Sequence, residues 1–161
     1  MLDGELKVNQ FLMQYCRMLV ADLADERMAE QPLPGVNHPA WVLGHLAFSA
    51  DSARGLLGAE KELPAAWTPL FGPGSQPSAS RSDYPSKDEL LRAVEQGFER
   101  LRQQVAATTP EQLAQPSTNP YTKDALPTIQ DGVAFVLTGH LGVHLDQLSM
   151  WRRMTGLPPL F

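Results

Sequence analysis

Apolar residues recur at intervals of three and four near the end of the chain, which is the spacing of a buried helical face. The face comprises Val133, Val136, Leu137, His140, His144, Leu148 and Trp151. Its two histidines are one helical turn apart, so both imidazoles are expected to point inward. An unpartnered polar ring is costly there, whereas two such rings can bind one divalent metal ion. The pattern therefore predicts a helix with a candidate metal-binding face, although leucine follows His140 and the His-Glu-x-x-His motif is not matched.

A third inward histidine, His45, lies in another predicted helix. That helix begins at Asn37 or His38, with Pro39 in the first turn where its missing N–H costs nothing. Its inward positions are Val42, His45, Leu46, Ser49, Ala53 and Leu56. His45 is therefore the third candidate ligand. Gly44 beside it destabilises a helix unless a neighbouring helix or a ligand approaches closely at that point.

Two other polar residues of this helix are not predicted to be ligands. His38 lies about 10 Å along the helix axis from His45, and we expect it to be a core histidine bonded to a backbone carbonyl. Asp51 lies about 240° around an ideal helix from His45, and we expect it in solvent. Spacing alone fits a metal site and ordinary packing of the three remaining histidines equally well, because His-x-x-x-His recurs by chance in helices.

The rest of the chain is also helical in pattern, with no strand alternation. A first amphipathic helix is predicted from Glu5 to Met28, with Val8, Phe11, Leu12, Tyr15, Leu19, Val20 and Leu23 inward. A third begins with the capping residues Ser86 and Glu89 and runs to about Ala107. One capped turn follows at Thr109, and the last helix is predicted from Pro127 to about Met154.

A segment rich in proline, glycine and serine connects the second and third helices, from about Gly58 to Pro85. In a helical bundle, a crossover of this length lets the next helix run parallel to its predecessor. We expect Trp67 and Phe71 to hold it against the bundle. A strap over the surface is favoured over a lid that covers a pocket.

Length and charge set further limits. The chain has 161 residues, which fits one domain over residues 1–161, and its formal net charge of -5 with scattered basic residues argues against a nucleic-acid surface. The single cysteine, Cys16, excludes an internal disulfide, and a reducing cytoplasm is the expected location. No signal peptide or membrane-spanning apolar run is predicted, so a soluble protein is expected.

Three short motifs together resemble one known family. They are Trp41-Val-Leu-Gly-His45-Leu, then His140-Leu-Gly-Val-His144-Leu-Asp-Gln147, and finally Trp151-Arg-Arg-Met-Thr-Gly156-Leu-Pro. Their combination and the helix order resemble the DinB-like (DinB/YfiT-like) superfamily over nearly the whole chain. The resemblance implies an all-α four-helix bundle of up-down-down-up topology, with its long crossover between helices 2 and 3. It also implies one divalent metal on His45, His140 and His144, and often a homodimer.

Many members of that superfamily carry a Gly-Gln pair shortly after the last histidine. This chain has Gln147, but Asp146 stands where the glycine would be. Gln147 falls on the same predicted face as His140 and His144. It is therefore a candidate to hydrogen-bond to a metal-binding histidine, or else to pack at an interface.

The resemblance implies two kinds of function. Some relatives are thiol-dependent S-transferases or isomerases, in which the metal activates a low-molecular-weight thiol such as bacillithiol, mycothiol or glutathione. The first hypothesis is accordingly a metalloenzyme, a transferase or hydrolase using Zn or Ni, with or without such a thiol, on a small-molecule substrate. The alternative is a non-catalytic bundle for dimerisation or binding, or a stress-associated protein, with a structural metal or none.

Overall fold

The computed structural model describes residues 2–160, and its long segments are helices. The α-helices are α1 (Asp3–Val20), α2 (Pro39–Leu56), α3 (Trp67–Phe71), α4 (Lys87–Ala107), α5 (Pro110–Leu113), α6 (Ile129–Phe135) and α7 (Leu141–Met154). One π-helical turn, Val136–His140, joins α6 to α7, so the two form one continuous last helix. Within the described part no strand is formed, and one isolated bridge pairs Pro116 with Thr128. The all-α prediction is confirmed.

Helices α2 and α4 run parallel. The side-chain amide of Gln104 donates to the carbonyls of Arg54 and Leu57 at the ends of the two helices. Seven residues earlier on α4, a Cβ at Gly97 would lie 3.3 Å from the Cβ of Ala50. Later residues of α4 thus contact later residues of α2, which is the arrangement that the long crossover predicts.

Helix α1 runs parallel to the last helix. Near the start of both, the Asn9 side chain donates to the carbonyl of Leu137, and near their ends Arg152 donates to the carbonyl of Leu19 and pairs with Asp22. In these contacts, residues from the first half of one helix meet residues from the first half of the other, and the ends of the two helices also meet. The direction of α1 is therefore that of α6 and α7.

The two parallel pairs run in opposite directions. Arg102 near the end of α4 donates to Asn9 near the start of α1, and Lys87 at the start of α4 donates to the carbonyl of Leu23 just after α1. Helices α1 and α4 are therefore antiparallel. The order is up-down-down-up, as predicted.

The inward face of α1 differs from the prediction. Val8 and Phe11 are 47% and 60% exposed, whereas Asn9, Met13 and Cys16 are buried. Phe11 was predicted to be buried because the prediction used only the polarity of each side chain. The buried face includes Asn9, whose amide is stabilised by hydrogen bonds to two neighbouring helices.

Two helix boundaries also differ. Helix α1 ends at Val20 instead of Met28, and a short 3₁₀ turn, Asp25–Arg27, follows. The ammonium group of Lys87 donates to the carbonyls of Ala21 and Leu23. Because α1 ends early, these carbonyls have no partner within the helix, and α4 supplies the hydrogen-bond donor. The last helix begins at Ile129 instead of Pro127, because Thr128 forms a capping box with Asp131.

The crossover is held to the bundle by buried aromatic side chains, as predicted. Trp67 and Phe71 of α3 are 5% and 0% exposed. A Cβ on Gly44 would lie 2.1 Å from the Phe71 ring, so only glycine permits this approach. The close contact that Gly44 predicted is therefore made by the crossover. Among the described residues, no helix combines the length and apolar character needed to cross a membrane.

The prediction that Asp51 lies in solvent is wrong. Asp51 is 6% exposed, its carboxylate accepts from the backbone N–H groups of Glu62 and Leu63, and it pairs with Arg54. The carboxylate binds the first residues of the crossover to α2. It lies outside the histidine group, in agreement with its exclusion as a ligand.

Candidate metal centre

The three predicted histidines lie together where α2 faces the last helix. One ring nitrogen from each of His45, His140 and His144 lies within 4.8 Å of the others. The Nε2 atoms of His45 and His140 are 3.2 Å apart. His144 is buried, while His45 and His140 are partly exposed, so solvent reaches one side of the group.

In His45 and His144, the ring nitrogen that points away from the group makes a hydrogen bond. This bond determines which nitrogen faces the group. Nδ1 of His45 donates to the carbonyl of Phe71 at 2.7 Å, and Nδ1 of His144 donates to Oε1 of Gln147 at 3.0 Å. Both oxygens can only accept, so each neutral ring carries its proton on Nδ1. The Nε2 lone pairs of His45 and His144 are therefore free to bind a metal.

The spacing of the nitrogens fits a divalent metal ion. Two imidazole nitrogens bound tetrahedrally to one zinc ion at about 2.0–2.1 Å are about 3.3 Å apart. The distance between Nε2 of His45 and Nε2 of His140 is 3.2 Å. Nδ1 of His140 is buried without a hydrogen-bond partner among the described residues, so no protein group holds this ring through that atom. The donor set and this distance are compatible with one divalent metal ion.

The protein environment keeps the rings neutral. Burial, reinforced by repulsion from the neighbouring imidazoles, lowers the pKa of His140 to about 3. The same two causes lower the pKa of His144 to about 4, although its hydrogen bond to Gln147 acts in the opposite direction. Burial also lowers the pKa of His45. Only a neutral imidazole can bind a metal, so these shifts preserve the donors well below neutral pH.

The sequence of the chain also matches a known protein family. The sequence pattern of the DinB superfamily matches residues 12–148. The chain belongs to the DinB superfamily. This confirms the resemblance on which the fold was predicted.

A solved structure shares the DinB fold. It is described as "YfiT from Bacillus subtilis is a probable metal-dependent hydrolase with an unusual four-helix bundle topology". The superposition has a TM-score of 0.68 at 18% sequence identity, and it covers 97% of this chain and 88% of that chain. No curated protein matches this sequence. At this identity the likeness establishes the fold alone.

A π turn ends at His140 in this DinB chain, and the sequence did not predict it. Val136–His140 forms the turn, and the N–H of Leu141 donates to the carbonyl of Thr138. The Thr138 hydroxyl donates to the carbonyl of Ala134 at 2.7 Å, a bond that often bends helices. Thr138 and the neighbouring Gly139 were local signals, and both residue types are too common in helices to predict a π turn.

Trp41 packs against the group on the side of α2. Its ring stacks on His45 at 4.7 Å with an angle of 7° between planes, and lies 5.9 Å from His144. Its indole Nε1 donates to the hydroxyl of Ser75 in the crossover at 3.0 Å. Trp41 was part of the motif that indicated the family, but its position against two of the histidines was not predicted.

The polar surroundings of His144 extend to the start of α2. Gln147, the predicted hydrogen-bonding candidate, bonds to His144, and its Oε1 also accepts from the side-chain amide of Asn37 at 3.1 Å. Asn37 was missed as a site residue, because an asparagine next to a helix N-terminus is usually a capping residue. The shared oxygen couples the orientation of the His144 ring to the segment before α2.

His38 lies outside the group, as predicted. It is fully buried, its Nε2 lies 2.8 Å from the carbonyl of Ser78, and its Nδ1 accepts from the backbone N–H of Trp41 at 3.2 Å. The ring therefore caps α2 and binds the crossover. The expectation of a core histidine bonded to a backbone carbonyl is confirmed.

Proposed function

We propose that His45, His140 and His144 bind one divalent metal ion and that this DinB-superfamily chain is a metal-dependent enzyme. The observation that carries the proposal is the convergence of three neutral imidazoles, with two Nε2 atoms 3.2 Å apart. Two of the rings hold their protons on outward-facing hydrogen bonds. With its proton on Nδ1, the Nε2 of His140 would offer a third lone pair to a metal, whereas with its proton on Nε2 it would donate to His45 in the metal-free protein.

Three imidazole ligands are typical of catalytic rather than structural metal sites, because they leave a coordination position for water or substrate. A bound divalent ion would supply a positive charge that lowers the pKa of a water or a thiol. The Phe71 carbonyl and Gln147 orient two of the rings, and Trp41 excludes water from one side of His45. His45 and His140 are partly exposed, so the proposed site is not sealed from solvent.

The reaction that we propose is hydrolysis or group transfer, with Zn or Ni as the metal. Hydrolysis is the first activity to test, because YfiT is described as a probable metal-dependent hydrolase. Group transfer with a low-molecular-weight thiol is the second, since the same charge would stabilise a thiolate. A metal-loaded protein that turns over neither class of substrate would favour the non-catalytic alternative.

Elemental analysis of protein supplied with zinc and nickel tests the ligand set. We expect about one metal per chain in the wild type and none in His144→Ala. The matched control is His38→Asn, which changes a buried histidine outside the group and retains a side chain able to cap α2. We expect this control to keep its metal. A folded wild-type protein that stays metal-free under this supply would overturn the proposal.

We also propose that the chain forms a homodimer. Helices α1 and α7 expose large apolar side chains, with Phe11 60%, Val143 58% and Met150 53% exposed. Exposed apolar side chains of this size on neighbouring helices favour association. Light scattering should give the mass of two chains for the wild type and of one chain for Phe11→Ser with Val143→Ser. An unchanged mass in this variant would place the contact elsewhere.

A further inference from the structure

We infer that Asn9 is a positioning residue for the metal site proposed above, because it anchors the π turn that ends at His140. Asn9 is fully buried on α1, and its Nδ2 donates to the carbonyl of Leu137 over 2.8 Å. Leu137 lies inside the π turn, three residues before His140. The inference concerns the backbone that carries the ligand, and it rests on the proposed function only where it concerns the metal.

The hydrogen bond from Asn9 reaches the last helix where its regular bonding is interrupted. In an α-helix the carbonyl of Leu137 would accept from the N–H of Leu141. Here that N–H donates to the carbonyl of Thr138 instead. A carbonyl oxygen has two lone pairs, so the carbonyl of Leu137 can accept from Asn9 whether or not a later backbone N–H also reaches it. The hydrogen bond from Asn9 adds a donor inside the π turn and holds the backbone of this turn against α1.

Arg102 of α4 sets the orientation of the Asn9 amide. Its guanidinium donates to Oδ1 of Asn9 at 2.6 Å and also pairs with Glu99. Because arginine can only donate, Oδ1 must face α4 and Nδ2 must face Leu137. The position thus requires one acceptor and one donor on a short side chain. Asparagine meets this requirement, whereas aspartate lacks the donor.

His140 depends on this anchor more than the other two histidines do. His45 and His144 are oriented by hydrogen bonds on Nδ1, but Nδ1 of His140 is buried with no partner in residues 2–160. The ring of His140 otherwise contacts the Phe135 ring at 5.7 Å and the neighbouring imidazoles. The path of the backbone therefore determines where its Nε2 lies. A shift of the π turn would move this nitrogen away from the other two.

Asn9→Asp tests the inference with almost no change in size. The carboxylate can still accept from Arg102, but it presents an acceptor to the carbonyl of Leu137. We expect zinc affinity, measured by competition with a chromogenic chelator, to fall about tenfold, as it does when a supporting partner of a metal ligand is removed. The Co²⁺-substituted protein should show shifted visible absorption bands, because one ligand moves.

Cys16→Ser is the matched control. Cys16 is fully buried on the same helix about two turns from Asn9, and the serine is nearly isosteric but polar. It should lower the melting temperature and leave zinc affinity within about twofold of the wild type. A merely structural role for Asn9 predicts the same result for both variants. Wild-type zinc affinity in Asn9→Asp would overturn the inference.

Amide hydrogen exchange in the metal-free protein separates this inference from the metal proposal. In Asn9→Asp, amides from Val136 to Gly142 should exchange at least about tenfold faster relative to those of Leu148 and Trp151, while Cys16→Ser changes both groups equally. Absence of the local effect would overturn the anchoring role whether or not metal binds. A local effect in a chain whose wild type binds neither zinc nor nickel would support the anchor and overturn the proposed function.

Discussion

The carbonyl oxygen of Phe71 lies 2.7 Å from Nδ1 of His45, so the crossover between α2 and α4 takes part in the histidine group. Phe71 also places its ring against Gly44, next to that histidine. The sequence favoured a surface strap for this segment. The structure shows that the strap holds one of the three imidazoles in place.

Gly44→Ala should therefore weaken metal binding. The added Cβ would lie 2.1 Å from the Phe71 ring, so α3 must move and the hydrogen bond to His45 lengthens. We expect about a tenfold loss of zinc affinity and a lower melting temperature. Gly55→Ala in the same helix is the control, since its Cβ meets no atom within 4 Å and it should stabilise by about 0.5–1 kcal/mol. Equal zinc affinities in the two variants would contradict the role of Phe71.

Gln147→Leu should reduce metal affinity without unfolding the protein. The substitution removes the acceptor of the His144 Nδ1 proton and also the acceptor of Asn37. Loss of such a partner typically costs about 10–100-fold in metal affinity. Gln147→Glu keeps the acceptor and should retain binding. Chelator competition on both variants measures this, and an affinity in Gln147→Leu equal to that of the wild type would show that Gln147 serves only packing.

The metal-free protein should lose stability as pH falls below about 6.5. In the folded state the pKa of His140 is about 3 and that of His144 about 4, against an ordinary value of 6.5. Between these values the unfolded chain binds more protons, so the free energy of unfolding rises with pH across this window and is level above it. Thermal unfolding at pH 7.5 and pH 5 measures the slope. His140→Leu should flatten it, and an identical slope in this variant would contradict the prediction.

Asp51→Ala should destabilise the protein and leave the metal site intact. It removes the acceptor of two backbone N–H groups and leaves the buried Arg54 with only the carboxylate of Glu62. Removing one partner of a buried ion pair lowers the free energy of unfolding by about 3–5 kcal/mol. We expect a loss near the lower end, because Arg54 keeps its pair with the partly exposed Glu62. Denaturant unfolding measures the loss. A fall in zinc affinity of the refolded variant would show that the crossover acts as one rigid unit.

Periodicity predicted the inward positions of the three histidines, and the family resemblance implied that the three would meet. His140 and His144 share a helical face with apolar residues, and His45 lies among apolar positions of a second helix. Their role as ligands stays a prediction. What periodicity could not predict are contacts that depend on the backbone of another segment, such as the bond from His45 to Phe71 and the bond from Asn9 to Leu137.

The rotation of α1 has the same origin. Phe11 is apolar and exposed, whereas Asn9 is polar and buried, because two partners from other helices satisfy its amide. A single-sequence pattern has no information about such partners. The predicted inward face of α1 is therefore wrong at Asn9, because hydrogen bonds to other helices, and not hydrophobicity, determine the position of this side chain.

The spacing of the histidines along the chain also bears on synthesis in the cell. His45 and His140, whose rings are in contact in the bundle, are separated by 95 residues. At about 5–20 residues per second, a ribosome would take on the order of 5–20 s between making the first and the second. During that interval neither His140 nor His144 exists, so the three-histidine group cannot form. Binding of a metal by all three histidines, as proposed above, would therefore follow translation of the last helix.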